Sequence, residues 1–169
     1  MIFAGEHEHT IDSQQRLAIP AMIRNRMERA KLEPEFILLP GPPGSIWIWP
    51  ERTFEQMSEL LDPSLMPEDE LIDFDELTYP NAQPATLDSA GRIRVPEEML
   101  AEAGLGKRVV VIGMRDHIEL RDPEAWAATK AAKRTQRPQI INRARAMLRT
   151  RAGTPSHRAH RGGEGERDS

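Results

Sequence analysis

The feature that most constrains this chain is that part of it occurs twice. Thr10-Ile11-Asp12-Ser13-Gln14-Gln15-Arg16-Leu17-Ala18-Ile19-Pro20 lies over Thr86-Leu87-Asp88-Ser89-Ala90-Gly91-Arg92-Ile93-Arg94-Val95-Pro96 at a constant offset of 76 residues. Thr, Asp, Ser, Arg and Pro recur in place, and three further positions exchange one aliphatic residue for another, which is 5 identities and 3 close exchanges in 11 positions. A repeat of this kind requires the fold to be built from two copies of one unit.

The pattern continues past each proline. A helical stretch follows, Ala21 to Lys31 in the first copy and Glu97 to Ala103 in the second. Proline in a first helical turn loses nothing, because its missing N–H would have had no partner there. An apolar strand comes next, Phe36 to Leu39 and Val109 to Ile112, then a turn and a second strand, Ser45 to Trp49 and His117 to Leu120. Each copy then reaches Pro-Glu and an aromatic, Pro50-Glu51 with Phe54 and Pro123-Glu124 with Trp126, and Asp122 is suited to cap a helix. One module of this size cannot cover its own apolar strands, so the copies are expected to share a core.

The chain divides accordingly into a first repeat over 5–61, an acidic proline-rich linker over 62–84, a second repeat over 85–128, a basic helical extension over 129–150 and a tail over 151–169. Leu71, Phe74 and Leu77 fit a short amphipathic turn within the linker. Ala127 to Arg149 reads as helix, interrupted near Pro138. From Thr150 onward there is almost nothing to bury, and that segment is expected to be disordered.

Charge is distributed unevenly. Residues 1–127 hold 12 Lys/Arg against 24 Asp/Glu, whereas residues 128–169 hold 11 against 3, so a formal net charge of −4 conceals an acidic body and a basic arm. Such an arm can neutralise phosphates, fold back on its own body or remain solvated. There is no cysteine, which excludes disulfides, zinc–thiolate sites and cysteine nucleophiles and suits an intracellular setting. No apolar run approaches the about 20 residues that a membrane helix needs, and the opening MIFAGEHEHTID is acidic where a signal peptide is basic and then apolar.

The repeated element has a chemistry of its own. Asp12-x-x-x-Arg16 and Asp88-x-x-x-Arg92 each set a short carboxylate before a tight turn, where it can accept N–H bonds from the residues just ahead. Gly91 tolerates positive φ, and the first copy has Gln15 in its place, so the first turn is expected to be strained or of another type. The planar fork of each Arg can pair with its Asp or reach a phosphate or a guanine edge. The Asp–Arg pairs can equally be turn locks that meet no ligand.

Two such motifs in register, each followed by apolar-x-apolar-Pro, resemble the paired Asp-x-x-x-Arg motifs of the MraZ family of bacterial transcription regulators, which belong to the AbrB/SpoVT-type swapped-hairpin group. The opening Gly5 to Asp12, the run Gly91-Arg92-Ile93-Arg94-Val95-Pro96 and the close Asp122-Pro123-Glu124-Ala125-Trp126 are similar to the family as well, so the resemblance covers residues 1 to about 130. It implies a mixed α/β fold in which two β-α-β swapped-hairpin repeats pair about a pseudo-two-fold axis into one barrel-like core with peripheral helices. It also implies sequence-specific binding of double-stranded DNA by a ring-like homo-oligomer, at repeated sites before a division and cell-wall gene cluster that includes the regulator's own gene. The DNA-contacting residues would be Arg16 and Arg92, with Asp12, Asp88, Arg94 and Arg24 around them. The protein would be cytoplasmic and nucleoid-associated, would not be an enzyme, and would need no cofactor. The acidic stretch Asp69 to Glu76 departs from the family, which commonly carries basic residues before its second motif. An oligomeric scaffold, or an antitoxin-like protein-binding module of the same fold, is the alternative.

Other features carry less. Arg24, Arg26 and Arg29 lie on the first helix and suit either flanking contacts or a solvated face. His7 and His9 fall on one side of a strand, but no third metal ligand has suitable spacing. Trp47 and Trp49 fit a core or subunit interface better than a base-stacking platform. No phosphate-binding glycine loop, nucleophile–base pair or supported carboxylate pair is present.

Overall fold

A computed structural model of the chain describes residues 2–60 and 69–153. The first repeat runs β1 (Glu6–Thr10), β2 (Arg16–Ala18), α1 (Ala21–Arg29), β3 (Glu35–Pro40), β4 (Ser45–Pro50) and α2 (Glu51–Leu60). Helix α3 (Asp69–Thr78) and a 3₁₀ turn (Tyr79–Asn81) follow. The second repeat runs β5 (Gln83–Thr86), β6 (Arg92–Arg94), α4 (Glu97–Glu102), β7 (Arg108–Gly113), β8 (Ile118–Arg121) and α5 (Pro123–Thr135), and α6 (Arg137–Gly153) comes last. The described residues form two compact units, divided between Ala128 and Thr129.

The two repeats exchange strands. A six-stranded antiparallel sheet has the order β1-β7-β8-β4-β3-β5, and β2 pairs with β6 as a separate antiparallel ribbon. Replacing each strand by its counterpart in the other repeat reverses this order onto itself. The first strand of each repeat thus lies against the third strand of the other, with Glu6 opposite Ile112 and Glu35 opposite Thr86.

This is a mixed α/β protein, but the expected barrel-like closure is not there: among the described residues β1 and β5 end the row of six. The reason is local. At the two Asp turns the chain leaves the sheet, and the three-residue strands β2 and β6 pair only with each other, so nothing bridges β1 to β5. Pro84 in β5 has no N–H to donate, which suits an edge.

Side chains alternate across the sheet and divide the core in two. On one face Phe36, Leu38, Ile46, Ile48, Val109, Val111, Ile118 and Leu120 are buried against Ile23 and Met27 of α1, Met99 and Leu100 of α4, and Leu17 and Ile93 of the ribbon. On the other face Leu39 and Trp49 pack with Phe54 of α2. Trp47 lies edge-on to Trp49. Glu119, only 2% exposed, is on this second face and is held by Arg121, whose Nε and Nη2 both donate to its Oε1 at 3.0 and 2.8 Å. Arg121 in turn lies 5.7 Å from the Trp126 ring centre.

Helix boundaries follow capping chemistry. Pro20 and Pro96 stand one residue before α1 and α4, as extended N-caps, so their missing N–H costs the helix nothing. Asp122 Oδ1 accepts the N–H groups of Glu124 and Ala125 at 3.0 and 2.9 Å, which caps α5. The helix expected over Ala127 to Arg149 is two helices divided at Gln136, with Pro138 in the first turn of the second. The acidic segment is a ten-residue helix, α3, whose Thr78 is buried and whose Leu77 is exposed. Helix α6 extends to Gly153, so the expected disordered segment is helical at its start, and its remainder lies outside the described residues.

Candidate nucleic-acid interface

The two motif turns are built alike, bond for bond. Asp12 Oδ1 accepts the N–H groups of Gln14 and Arg16 at 2.8 and 2.9 Å, and Asp88 Oδ1 accepts those of Ala90 and Arg92, both at 2.9 Å. The other carboxylate oxygen takes the Arg Nε, at 2.8 Å from Arg16 and 2.9 Å from Arg92. Backbone bonds close each turn: Gln15 N–H to Asp12 C=O at 3.0 Å and Gly91 N–H to Asp88 C=O at 2.9 Å. Short Asp side chains do this because they reach N–H groups two and four residues ahead without leaving the turn.

Both turns use the left-handed conformation at the same place, φ +57° at Gln15 and +75° at Gly91. The expectation that Gln15 changes the turn type is therefore corrected: the type is the same, and Gln15 adopts a φ that L-residues disfavour. At Gly91 a Cβ would stand 2.7 Å from the Arg24 guanidinium, so a side chain there would also displace the end of Arg24.

Electrostatics match the geometry. The Arg16 backbone N–H, then the Arg16 side chain and the Gln14 N–H, hold the Asp12 carboxyl below the ordinary Asp range. The Arg92 side chain and its backbone N–H do the same for Asp88. Both carboxylates stay ionised at neutral pH and keep their arginines in place.

The β2–β6 ribbon brings the two turns together. Leu17 and Ile93 are partners at its centre and both are buried. Alternation sends Arg16, Ala18, Arg92 and Arg94 to the opposite face, with Arg16 opposite Arg94 and Ala18 opposite Arg92. Reciprocal bonds tie each turn to the other repeat: Val95 N–H to Gln15 C=O at 2.8 Å and Ile19 N–H to Gly91 C=O at 2.9 Å. A shallow groove lies between the turns, lined by Gln14, Gln15, Arg16, Asp88, Arg92 and Arg94 among others.

All six residues singled out from the sequence lie on or beside this ribbon. Asp12 and Asp88 lock the turns, Arg16 and Arg92 leave them half-exposed, and Arg94 is exposed. Arg24 reaches from α1 to the second turn, where its Nε donates to Ile19 C=O at 3.1 Å. Arg26 instead donates to the Ile2 carbonyl. Two further residues of this face, Gln15 and Ala18, are not marked as site residues by the sequence. Gln15 Oε1 accepts a long bond from Arg94 Nη2, 3.4 Å. Only the cross-repeat register, which no local motif carries, would have found that pairing.

Elsewhere the groups offer less. No cluster of three or more His, Cys, Asp or Glu able to hold a metal occurs among the described residues. His7 and His9 pair with Val111 and Val109, and burial, with His7 nearby, lowers the His9 pKa. Trp49 is buried under α2, on the sheet face away from the ribbon. No helix among the described residues is long and apolar enough to cross a membrane.

Comparison with known proteins bears on both repeats. The family model described as "MraZ protein, putative antitoxin-like" matches residues 2–75 and 79–150. Among similar proteins named Transcriptional regulator MraZ, that of Leuconostoc mesenteroides is 33% identical over 130 residues, 77% of this chain and 87% of the relative. That of Roseiflexus sp. is 33% identical over 127 residues, 74% of this chain and 84% of the relative. That of Thermomicrobium roseum is 26% identical over 147 residues, 87% of this chain and all of the relative. With two matching segments, one over each repeat, the chain belongs to the MraZ family.

Proposed function

We propose that this protein is a sequence-specific transcription regulator that contacts double-stranded DNA through the solvent face of the β2–β6 ribbon. The observation that carries this reading is the convergence of two identically built Asp-locked turns on one ribbon, with Arg16, Arg92 and Arg94 on a single exposed face and Arg24 beside it. Fixed turns hold the guanidinium groups ready, and arginine recognises both phosphate and guanine. The names of the relatives supply the regulatory role.

The finer picture belongs to the same proposal. The repeats would form a swapped-hairpin unit of the AbrB/SpoVT type, with 62–84 as linker and 129–150 as a basic extension. Several copies would form a ring, and each would contribute a few contacts to repeated operator sites, so that avidity raises affinity. The target would be a division and cell-wall gene cluster including the regulator's own gene, in a cytoplasmic, nucleoid-associated setting without catalysis. The acidic body and the antitoxin-like description of the family favour a second reading, a protein-binding module with little DNA affinity. Selection of bound duplexes from a random pool, at stated salt, separates the two. An enriched sequence with salt-dependent affinity supports the first, and no enrichment at any salt rejects it.

A further inference from the structure

The ribbon face is symmetric in its backbone and asymmetric in its side chains. The exchange of repeats maps Arg94 onto Ala18 and Gln15 onto Gly91. One half of the face therefore groups Gln15, Arg16 and Arg94, with Arg94 both opposite Arg16 and bonded to Gln15. The other half has Arg92 opposite Ala18, a glycine in its turn, and the Arg24 guanidinium against that glycine.

The hydrogen bonds of the motif arginines are the same in both halves, Nε of Arg16 and of Arg92 each donating to its own Asp. Arg24 donates its Nε to Ile19 C=O. A guanidinium beside a second Arg and an amide is the chemistry that reads base edges, because Arg meets guanine and Gln meets adenine in bidentate fashion. Two cations with no amide beside them suit a phosphate, which asks for positive charge and carries no sequence of its own.

We infer that the two halves of the ribbon have different tasks: Gln15, Arg16 and Arg94 read bases in the major groove, while Arg92 and Arg24 hold the adjoining phosphates. This rests on the DNA-binding reading above. Each subunit then binds in one orientation, and the site it selects lacks internal two-fold symmetry despite the pseudo-symmetry of the fold.

The test compares variants of the full chain by selection from a random duplex pool and by salt titration, with melting curves to establish folding. Arg94→Ala and Gln15→Ala should each reduce discrimination at particular base positions by about tenfold. Arg94→Lys, which keeps the charge and loses the planar fork, should lose the same discrimination while keeping the salt slope. Arg24→Ala should weaken all sequences alike and lower the salt slope by about 1. The double variant Ala18→Arg/Arg94→Ala moves one guanidinium across the pseudo-dyad at constant net charge, and it should select a different sequence. A wild-type site with two-fold symmetry, or a double variant that selects the wild-type site, overturns the division of tasks and leaves DNA binding standing. A wild-type protein with no salt-dependent duplex binding overturns both.

Discussion

Arg16 and Arg94 stand directly opposite each other on the β2–β6 ribbon, two cations in register, while the symmetry-related pair is Ala18 with Arg92. Like charges opposite each other on a sheet destabilise it. Arg94→Ala should therefore raise folding stability by about 0.5 kcal/mol at low salt, and the gain should shrink as salt screens the pair. Urea unfolding at two ionic strengths measures it. A gain in stability together with a loss of DNA affinity would mark Arg94 as retained for binding.

The motif arginines separate function from folding. Arg16 and Arg92 are 36% and 32% exposed in their ion pairs, so Ala at either should cost no more than about 1 kcal/mol. Affinity for DNA should fall, with a salt slope reduced by about 1 for each phosphate no longer neutralised. Variants that melt early yet bind DNA normally would make Asp-x-x-x-Arg a folding device alone.

The turn glycine should be the more sensitive of the two matched positions. Gly91→Ala places a methyl group 2.7 Å from the Arg24 guanidinium at φ +75°, and should cost about 1–2 kcal/mol. Gln15→Gly relieves a left-handed φ of +57° and should stabilise by up to about 1 kcal/mol. Thermal unfolding of both decides whether the two turns are energetically as alike as their hydrogen bonds.

On the far side of the sheet, Arg121→Ala strands the buried Glu119 carboxylate. Removing one partner of a buried pair costs about 3–5 kcal/mol. Adding Glu119→Leu should recover most of that loss. Equal stability of single and double variants in chemical denaturation would show that Glu119 finds other solvation.

Acid should act on the turns only below the range in which histidines titrate. The native pKa values of Asp12 and Asp88 lie below their unfolded values. Their stabilisation is therefore complete above the unfolded value of about 4, and it is lost as pH falls through the lowered native values. His9 also has a lowered native pKa. It favours folding above about 6.5 and loses that contribution as pH falls toward its native value. Protection of the turn amides, taken relative to their intrinsic exchange rates, should thus stay constant from about pH 8 to about pH 5, while Tm declines over the same interval by an amount that His9→Gln reduces.

The local features of this structure were legible because they have local causes. The repeat, the two Asp turns, the helices after Pro20 and Pro96 and the Asp122 cap all follow from residues within a few positions of one another. What was not legible depends on which copy pairs with which. The repeat and the apolar run Val109 to Ile112 mark β1 and β7 as strands but do not say that His7 pairs with Val111. For the same reason the pattern does not tell the open sheet from the barrel-like core that the family resemblance implied, and the Gln15–Arg94 bond stays hidden although both residues are in view. In the acid run the expected short amphipathic turn is a full helix, with Phe74 half-buried and Thr78 buried, whereas Leu77, expected on the apolar side, is exposed.

Because each repeat lends its first strand to the other, the order of synthesis matters. β1 is made first, yet its partner strand is Arg108–Gly113. A nascent chain still attached to the ribosome at the end of the first repeat has β1 unpaired and β3 bare along the edge that β5 later covers. Unpaired edges invite pairing with other chains, and long-range strand pairing is slow. Within one chain, β1 and the open edge of β3 therefore find their partners only after the second repeat has been made, and the first repeat has to stay soluble with both edges open until then.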